Sequence, residues 1–175
     1  QHHVVEPVPV EIAQEVAASI PDRVDKLVLY GTGPLGKMPD RFEPLSVSID
    51  RLQSEGVAQT AGRIAETWLV AGRTHSAYQA LATIGSQASA AAARSSLEAM
   101  AVWDGRSALN RLTMPTLIIW GDRDQSYRWP QIEYIWTHLP WASLAVIPDA
   151  SHVVHLERPQ LFNALLENFL LNGVQ

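Results

Sequence analysis

Leu117-Ile118-Ile119-Trp120-Gly121-Asp122-Arg123-Asp124 is the stretch that decides how this chain is read. Its four apolar residues in succession predict a strand buried on both faces, as in a parallel sheet covered by helices. Gly121 ends the run, and two carboxylates follow at once. In an open parallel sheet, ligands collect outside the carboxyl ends of the strands, so an acid placed there is well sited for chemistry. Downstream, the apolar run Leu144 to Ile147 ends in Pro148-Asp149-Ala150-Ser151-His152. Two neighbouring strands would thus deliver Asp124 and His152 to one rim, which is two thirds of a nucleophile–histidine–acid triad.

Working towards the amino terminus, Lys26-Leu27-Val28-Leu29-Tyr30 predicts a third buried strand, closed by Gly31-Thr32-Gly33-Pro34. A helix is expected before it, from about Val10, with Ile12, Val16 and Ala17 on its apolar face and a stop at Ile20-Pro21. Between Phe42 and Asn110 the period changes, and no strand-like run occurs. Four helical patterns stand there instead. Leu45, Ile49 and Leu52 lie between Pro44 and Gly56; Ala61, Ile64 and Trp68 precede Gly72. Tyr78, Leu81 and Gly85 mark the third, and Ala93, Leu97 and Met100 the fourth. The alanine run Ala90 to Ala93 reads as helix propensity. A parallel crossover needs one helix, so four predict a lid. After Pro115 the alternation resumes, with a helix from Pro130 carrying Ile132, Ile135, Trp136 and Leu139. A last helix from Arg158-Pro159 is expected to bury Leu161, Phe162, Leu165, Leu166 and Phe169. The fold class is α/β: a short, mostly parallel sheet flanked by helices, with an all-helical insertion between strands. The expected division is a core of residues 1–34 and 112–175 and a helical unit of 35–111.

Composition narrows the function classes. The chain has 175 residues, 47% of them hydrophobic, and a net charge of -5, with no basic run. Nucleic acid and anionic membrane are therefore poor partners. With zero cysteines there are no disulfides or thiolate metal sites, and a cytoplasmic location is the expectation. No apolar run approaches the roughly 18 residues of a membrane span.

Taken together, the residues resemble the carboxyl-terminal half of an α/β-hydrolase. Four landmarks carry the likeness. The segment Ile20-Pro21-Asp22-Arg23-Val24-Asp25-Lys26-Leu27-Val28-Leu29 is like the one that follows the nucleophile helix. A helical cap of the usual size stands in the usual place. Trp120-Gly121-Asp122-Arg123-Asp124 is like the acid turn, and Ser151-His152 with His155-Leu156-Glu157-Arg158-Pro159 is like the histidine loop and final helix. Small-molecule esterases, lactonases and carbon–carbon bond hydrolases look closest. The resemblance implies Asp124 as the acid and His152 as the general base, with no cofactor. Carbon–carbon hydrolases of the family often place tryptophan after the histidine; Val153 stands there, which tilts the reading towards esters or lactones.

The family's Gly-x-Ser-x-Gly elbow does not occur in these 175 residues. Matched to the helix at Ile12, Pro7 falls at the serine, and Val5 and Pro9 fall at the glycines. Proline lacks an amide hydrogen and has a fixed φ, so this makes a poor elbow and a poor oxyanion hole. Ser151 and Ser126 lack the strained turn that activates a nucleophile. Two readings result. One is a hydrolase of ester, lactone or carbon–carbon bonds in a small substrate, its serine supplied by an amino-terminal half. The other is a non-catalytic, truncated or self-assembling fragment that at most binds a small apolar ligand.

The remaining candidates have structural readings. Asp122 is expected to bond backbone amides of its turn. His155 forms His-x-x-His with His152, and is expected to pack or cap rather than hold a metal. Trp68, Trp103 and Trp129 are candidates for an aromatic pocket, with core or interface as the alternative. The apolar strands predict an open side covered by a homo-oligomer or by the missing half, with Val4 to Val10 a poor edge strand because of its prolines.

Overall fold

A computed structural model describes residues 12–171 of the chain. The element order is α1 (Ile12–Ser19), β1 (Leu27–Tyr30), α2 (Leu45–Glu55), α3 (Val57–Thr67), α4 (Tyr78–Ser86), α5 (Ala90–Val102), α6 (Arg106–Leu109), β2 (Thr116–Gly121), α7 (Trp129–His138), β3 (Ala142–Ile147), α8 (Val154–Glu157) and α9 (Pro159–Leu171). The strands form one parallel sheet in the order β1-β2-β3. In register, Tyr30 lies beside Ile119, and Gly121 beside Ile147, so the exits of the three strands share one rim.

Alternation along the strands sorts side chains onto two faces. Leu27, Leu29 and Ile118 face a core built with Ala17 and Ala18 of α1, Leu109 of α6 and Ile132 and Ile135 of α7. Leu117, Ile119 and Ile147 face the other way, where Phe162, Leu165, Leu166 and Phe169 of α9 cover them. Burying each branched side chain of β2 contributes about 1.5–3 kcal/mol. The middle strand is thus the best buried, as its unbroken apolar run demands.

Five helices lie between β1 and β2 where four were expected, the fifth being the short α6. α3 packs on α4, and α2 on both α3 and α5. Two ends of this segment meet: Leu35 and Asp104 form an antiparallel bridge, Gly36 N–H donates to Trp103 at 3.2 Å, and Gly105 N–H donates to Pro34 at 2.9 Å. Ser89 caps α5, its hydroxyl accepting from Ala92 N–H at 3.1 Å, so the alanine run opens that helix.

Several expectations are corrected. α1 turns Ile12 (44% exposed) and Val16 (48%) outwards; Ala17 is buried as expected, and with it Gln14 and Ala18. The small alanines allow close approach to α6, and the Gln14 amide donates to Thr32 Oγ1 and the Gly33 carbonyl, both at 3.0 Å. α3 stops at Thr67, ahead of Gly72, and Trp68 is its C-cap. The final helix is split: His155 lies in α8, and α9 restarts at Pro159. Leu161 of α9 is exposed, because only the Phe162–Leu165–Leu166–Phe169 stripe reaches the sheet. Helices cover both sheet faces, so what stays open among the described residues is strand edge rather than face. Pro7, Val5, Pro9 and the segment Val4 to Val10 lie outside the described residues.

Candidate active site

Asp124 sits three residues beyond the end of β2, in a turn whose shape depends on Gly121. A Cβ on Gly121 would stand 2.3 Å from the Ala150 carbonyl oxygen and 2.4 Å from that of Ser151. Only glycine lets the end of β2 pass this close beneath the histidine loop. Arg123 N–H donates to the Ala150 carbonyl at 2.9 Å, and Asp149 N–H donates to Asp122 Oδ1 at 2.7 Å. Asp122 therefore stitches the two loops together, bonding an amide of the histidine loop rather than the amides of its own turn.

The Asp124 carboxylate is 2% exposed and divides its two oxygens between two tasks. Oδ1 accepts from Ser126 N–H at 2.7 Å and from Tyr127 N–H at 3.2 Å, which locks its own turn. Oδ2 faces His152 Nδ1 at 3.0 Å. That distance falls within the roughly 2.6–3.2 Å required of a base and its orienting acid. With the carboxylate accepting, Nδ1 is the donor of this bond, and Nε2 is the ring nitrogen it leaves uncommitted. The His152 side chain is 14% exposed, on the wall of a cavity of about 300 Å³.

The histidine loop is held from both ends. Glu157 of α8 accepts Ser151 N–H at 2.6 Å with one oxygen and Val70 N–H at 2.7 Å with the other. Ser151 Oγ donates to the Thr67 carbonyl at 3.1 Å, and Val153 N–H donates to the Trp68 carbonyl at 3.3 Å. The Ser151 hydroxyl is thus committed to the last carbonyl of α3. The Trp68 ring centroid lies 5.0 Å from that of the imidazole, tilted by 35°, and the Tyr127 centroid lies 6.0 Å away at 21°. Gly31, at φ +61°, also lies against the ring, and a Cβ there would stand 3.2 Å from His152 Cε1.

Of the three tryptophans considered, Trp68 alone borders this cavity among the described residues. Trp103 donates to Glu15 Oε1 at 3.1 Å, and Trp129 packs against Trp120 with centroids 5.7 Å apart. His155 bonds the Tyr30 hydroxyl through Nδ1 at 2.8 Å. Burial, reinforced by repulsion from His152, lowers the His155 pKa, and burial raises that of Tyr30. No cluster of three or more metal-type ligands occurs among the described residues.

Sequence reasoning did not single out Arg41, Met38 or Tyr127, which also border the cavity. Arg41 Nη1 donates to the Glu43 carbonyl and to Ser48 Oγ, both at 2.9 Å. Burial lowers its pKa to about 10, against the pull of Glu43. Nothing in Asp40-Arg41-Phe42-Glu43 marks this, since the helices that close the pocket are brought in from elsewhere in the chain.

Comparison with known proteins adds the lineage. The chain is 26% identical over 157 residues to 3-oxoadipate enol-lactonase 2 of Acinetobacter baylyi, covering 88% of this chain and 57% of that enzyme. Among solved structures it is similar to an esterase from Exiguobacterium antarcticum (TM-score 0.81, 19% identity, 93% of this chain and 63% of that one). It is likewise similar to the enol-lactonase of Burkholderia xenovorans LB400 (TM-score 0.82, 20% identity, 93% and 62%). The chain therefore spans less than two thirds of the length of these relatives. No helix among the described residues is long and apolar enough to cross a membrane. The model of the alpha/beta hydrolase family matches residues 10–165, from α1 into the first half of α9, and on that match the chain belongs to the alpha/beta hydrolase family.

Proposed function

We propose that this chain supplies the acid and the general base for hydrolysis of an ester or lactone in a small organic substrate. The observation that carries the reading is the His152 Nδ1 to Asp124 Oδ2 bond of 3.0 Å, with the second carboxylate oxygen already pinned by two backbone amides. An acid held this way cannot swing, so it fixes the ring and stabilises its protonated form. His152 Nε2 then takes a proton from a nucleophile and returns it to the leaving group. The helices between β1 and β2 close over the imidazole and shape the substrate space, with Trp68 as its aromatic wall. The nucleophilic serine and the oxyanion donors come from polypeptide outside these 175 residues, for which the 57% coverage of the A. baylyi lactonase leaves room.

The test is a protein in which this chain is joined or co-expressed with an elbow-bearing amino-terminal segment. Turnover of p-nitrophenyl esters should fall by about 10²–10⁴ in His152→Ala and by a similar factor in Asp124→Asn. The 175 residues alone should take no fluorophosphonate label. Labelling of one serine of this chain, abolished by His152→Ala, would overturn the external nucleophile.

A second reading, a self-assembling or ligand-binding fragment, is favoured by two exposed features. Ile12, Val16 and Ile20 form an exposed stripe along and just beyond α1, and the outer edge of β1 has no strand partner among the described residues. In this reading, a second copy or an amino-terminal half covers them.

A further inference from the structure

Both chain neighbours of His152 are bonded to the end of α3, a helix of the segment between β1 and β2. Ser151 Oγ donates to the carbonyl of Thr67, the last residue of α3, and Val153 N–H donates to the carbonyl of Trp68, its C-cap. The closing carbonyls of a helix have no partner within it, so they bond what is brought to them. Here they hold the residues on either side of the imidazole, and the ring itself packs on that of Trp68.

Glu157 closes the same junction with its carboxylate. Oε2 accepts Ser151 N–H at 2.6 Å, and Oε1 accepts Val70 N–H, in the turn after α3, at 2.7 Å. Both are short, as hydrogen bonds to an ionised acceptor are. The two donors belong to separate parts of the chain, so one side chain spans the histidine loop and the helical segment. Glu157 is itself fixed to the loop, because its N–H and that of Leu156 donate to the Val153 carbonyl at 3.3 and 2.9 Å. Arg158 is directed elsewhere, Nη1 donating to the Glu157 carbonyl and Nη2 to Asp149. Near its start the helical segment also reaches the acid's turn, where Phe42 N–H donates to the Gln125 carbonyl at 3.0 Å.

Resting on the hydrolase reading above, we propose that Glu157 is a positioning residue, which fastens the helical segment to the histidine loop through Val70 N–H and Ser151 N–H. His152 is then held towards Asp124 only while the segment is seated. Seating of the segment over a substrate and orientation of the base become one event. The role needs a carboxylate, which offers two acceptor oxygens where a carboxamide offers one acceptor and two donors. In Glu157→Gln the side-chain nitrogen meets a backbone N–H, and one of the two ties is lost.

Hydrogen exchange on this chain, read residue by residue by NMR, tests the proposal without turnover. In Glu157→Gln, exchange at Val70 and Ser151 should quicken by about tenfold or more, as expected on losing a hydrogen bond to a charged group. Val153, whose acceptor is the Trp68 carbonyl and not Glu157, should quicken with them, and so should the proton on His152 Nδ1. Ile118 and Ile119 lie in the best-buried strand, where amides exchange through opening of the whole fold, and should change far less. If Glu157→Gln does not fold, Ser151→Ala carries the test. It removes the hydroxyl's bond to Thr67, and Val70 and Val153 should again loosen together. Unchanged exchange at Val153 and at Nδ1 would overturn the proposal, as would an increase shared equally by Ile118 and Ile119. Either result leaves the Asp124–His152 bond standing. An Nδ1 proton already in fast exchange in the unaltered chain would instead remove the dyad, and this proposal with it.

Discussion

Gly31 ends β1 directly against the imidazole, and the missing side chain is what gives His152 its room. At φ +61° an L-residue costs about 1–2 kcal/mol, and a Cβ would press on Cε1 from 3.2 Å. Gly31→Ala should destabilise the fold by about that amount, as read from denaturant unfolding. In a nucleophile-bearing protein it should also cut kcat by about tenfold to a hundredfold, because a shift of about 1 Å in a catalytic group has that effect. A variant with unchanged kcat would show that the ring does not depend on this contact. At this scale the sequence was legible where chemistry follows a strand end. Asp124 and His152 stand out because apolar runs deliver them, and the structure brings them to 3.0 Å. Arg41 and Tyr127 were not legible, because their place in the pocket depends on long-range packing that no local period encodes. Trp68 was visible as a residue type, but only the closure of α3 over the histidine loop separates it from Trp103 and Trp129.

Among the elements, the entry to α2 is pinned to α3 by Glu43. Its carboxylate accepts from Ser48 and from Arg63, with Arg51 close by. Burial pushes the Glu43 pKa up, but these hydrogen bonds and the flanking guanidiniums outweigh it and hold it below the usual carboxylate range. A lowered folded pKa stabilises the fold above the unfolded value of about 4.3 and loses that stabilisation as pH falls through the folded value. Glu43→Gln should therefore cost about 1–3 kcal/mol near neutral pH. The gap between the two proteins should close as the pH falls below the carboxylate range, as read from urea midpoints at several pH values. A gap that widens in acid would reverse the assignment. All three strands were legible to within two residues, because buried parallel strands are unbroken apolar runs bounded by glycine or proline. The faces of α1 and α9 were less so. On α1 the apolar Ile12 and Val16 look outwards while polar Gln14 is buried, since its amide satisfies the backbone leaving β1. Periodicity records which residues are apolar, not what covers them.

For the whole molecule, the sheet has an outer edge at β1 without a strand partner among the described residues, and Ile12, Val16 and Ile20 are 44%, 48% and 42% exposed. Unpaired edges and contiguous apolar surface are what association covers. Sedimentation at micromolar concentration should show this chain self-associating, and Val16→Lys together with Ile20→Lys should weaken that association. A compact monomer with one sharp cooperative unfolding transition would sink the expectation. The bridge between Leu35 and Asp104 has a different consequence. The two ends of the helical segment are tied beside one another by backbone bonds before any of its own helices is considered. Closing a loop costs only about 0.6 kcal/mol more for each doubling of its length. The sheet below is therefore nearly indifferent to how long the segment is or what it contains. Inheritance can treat residues 36–103 as a cartridge, lengthened, shortened or exchanged for another, while the acid and the histidine stay on their own strands.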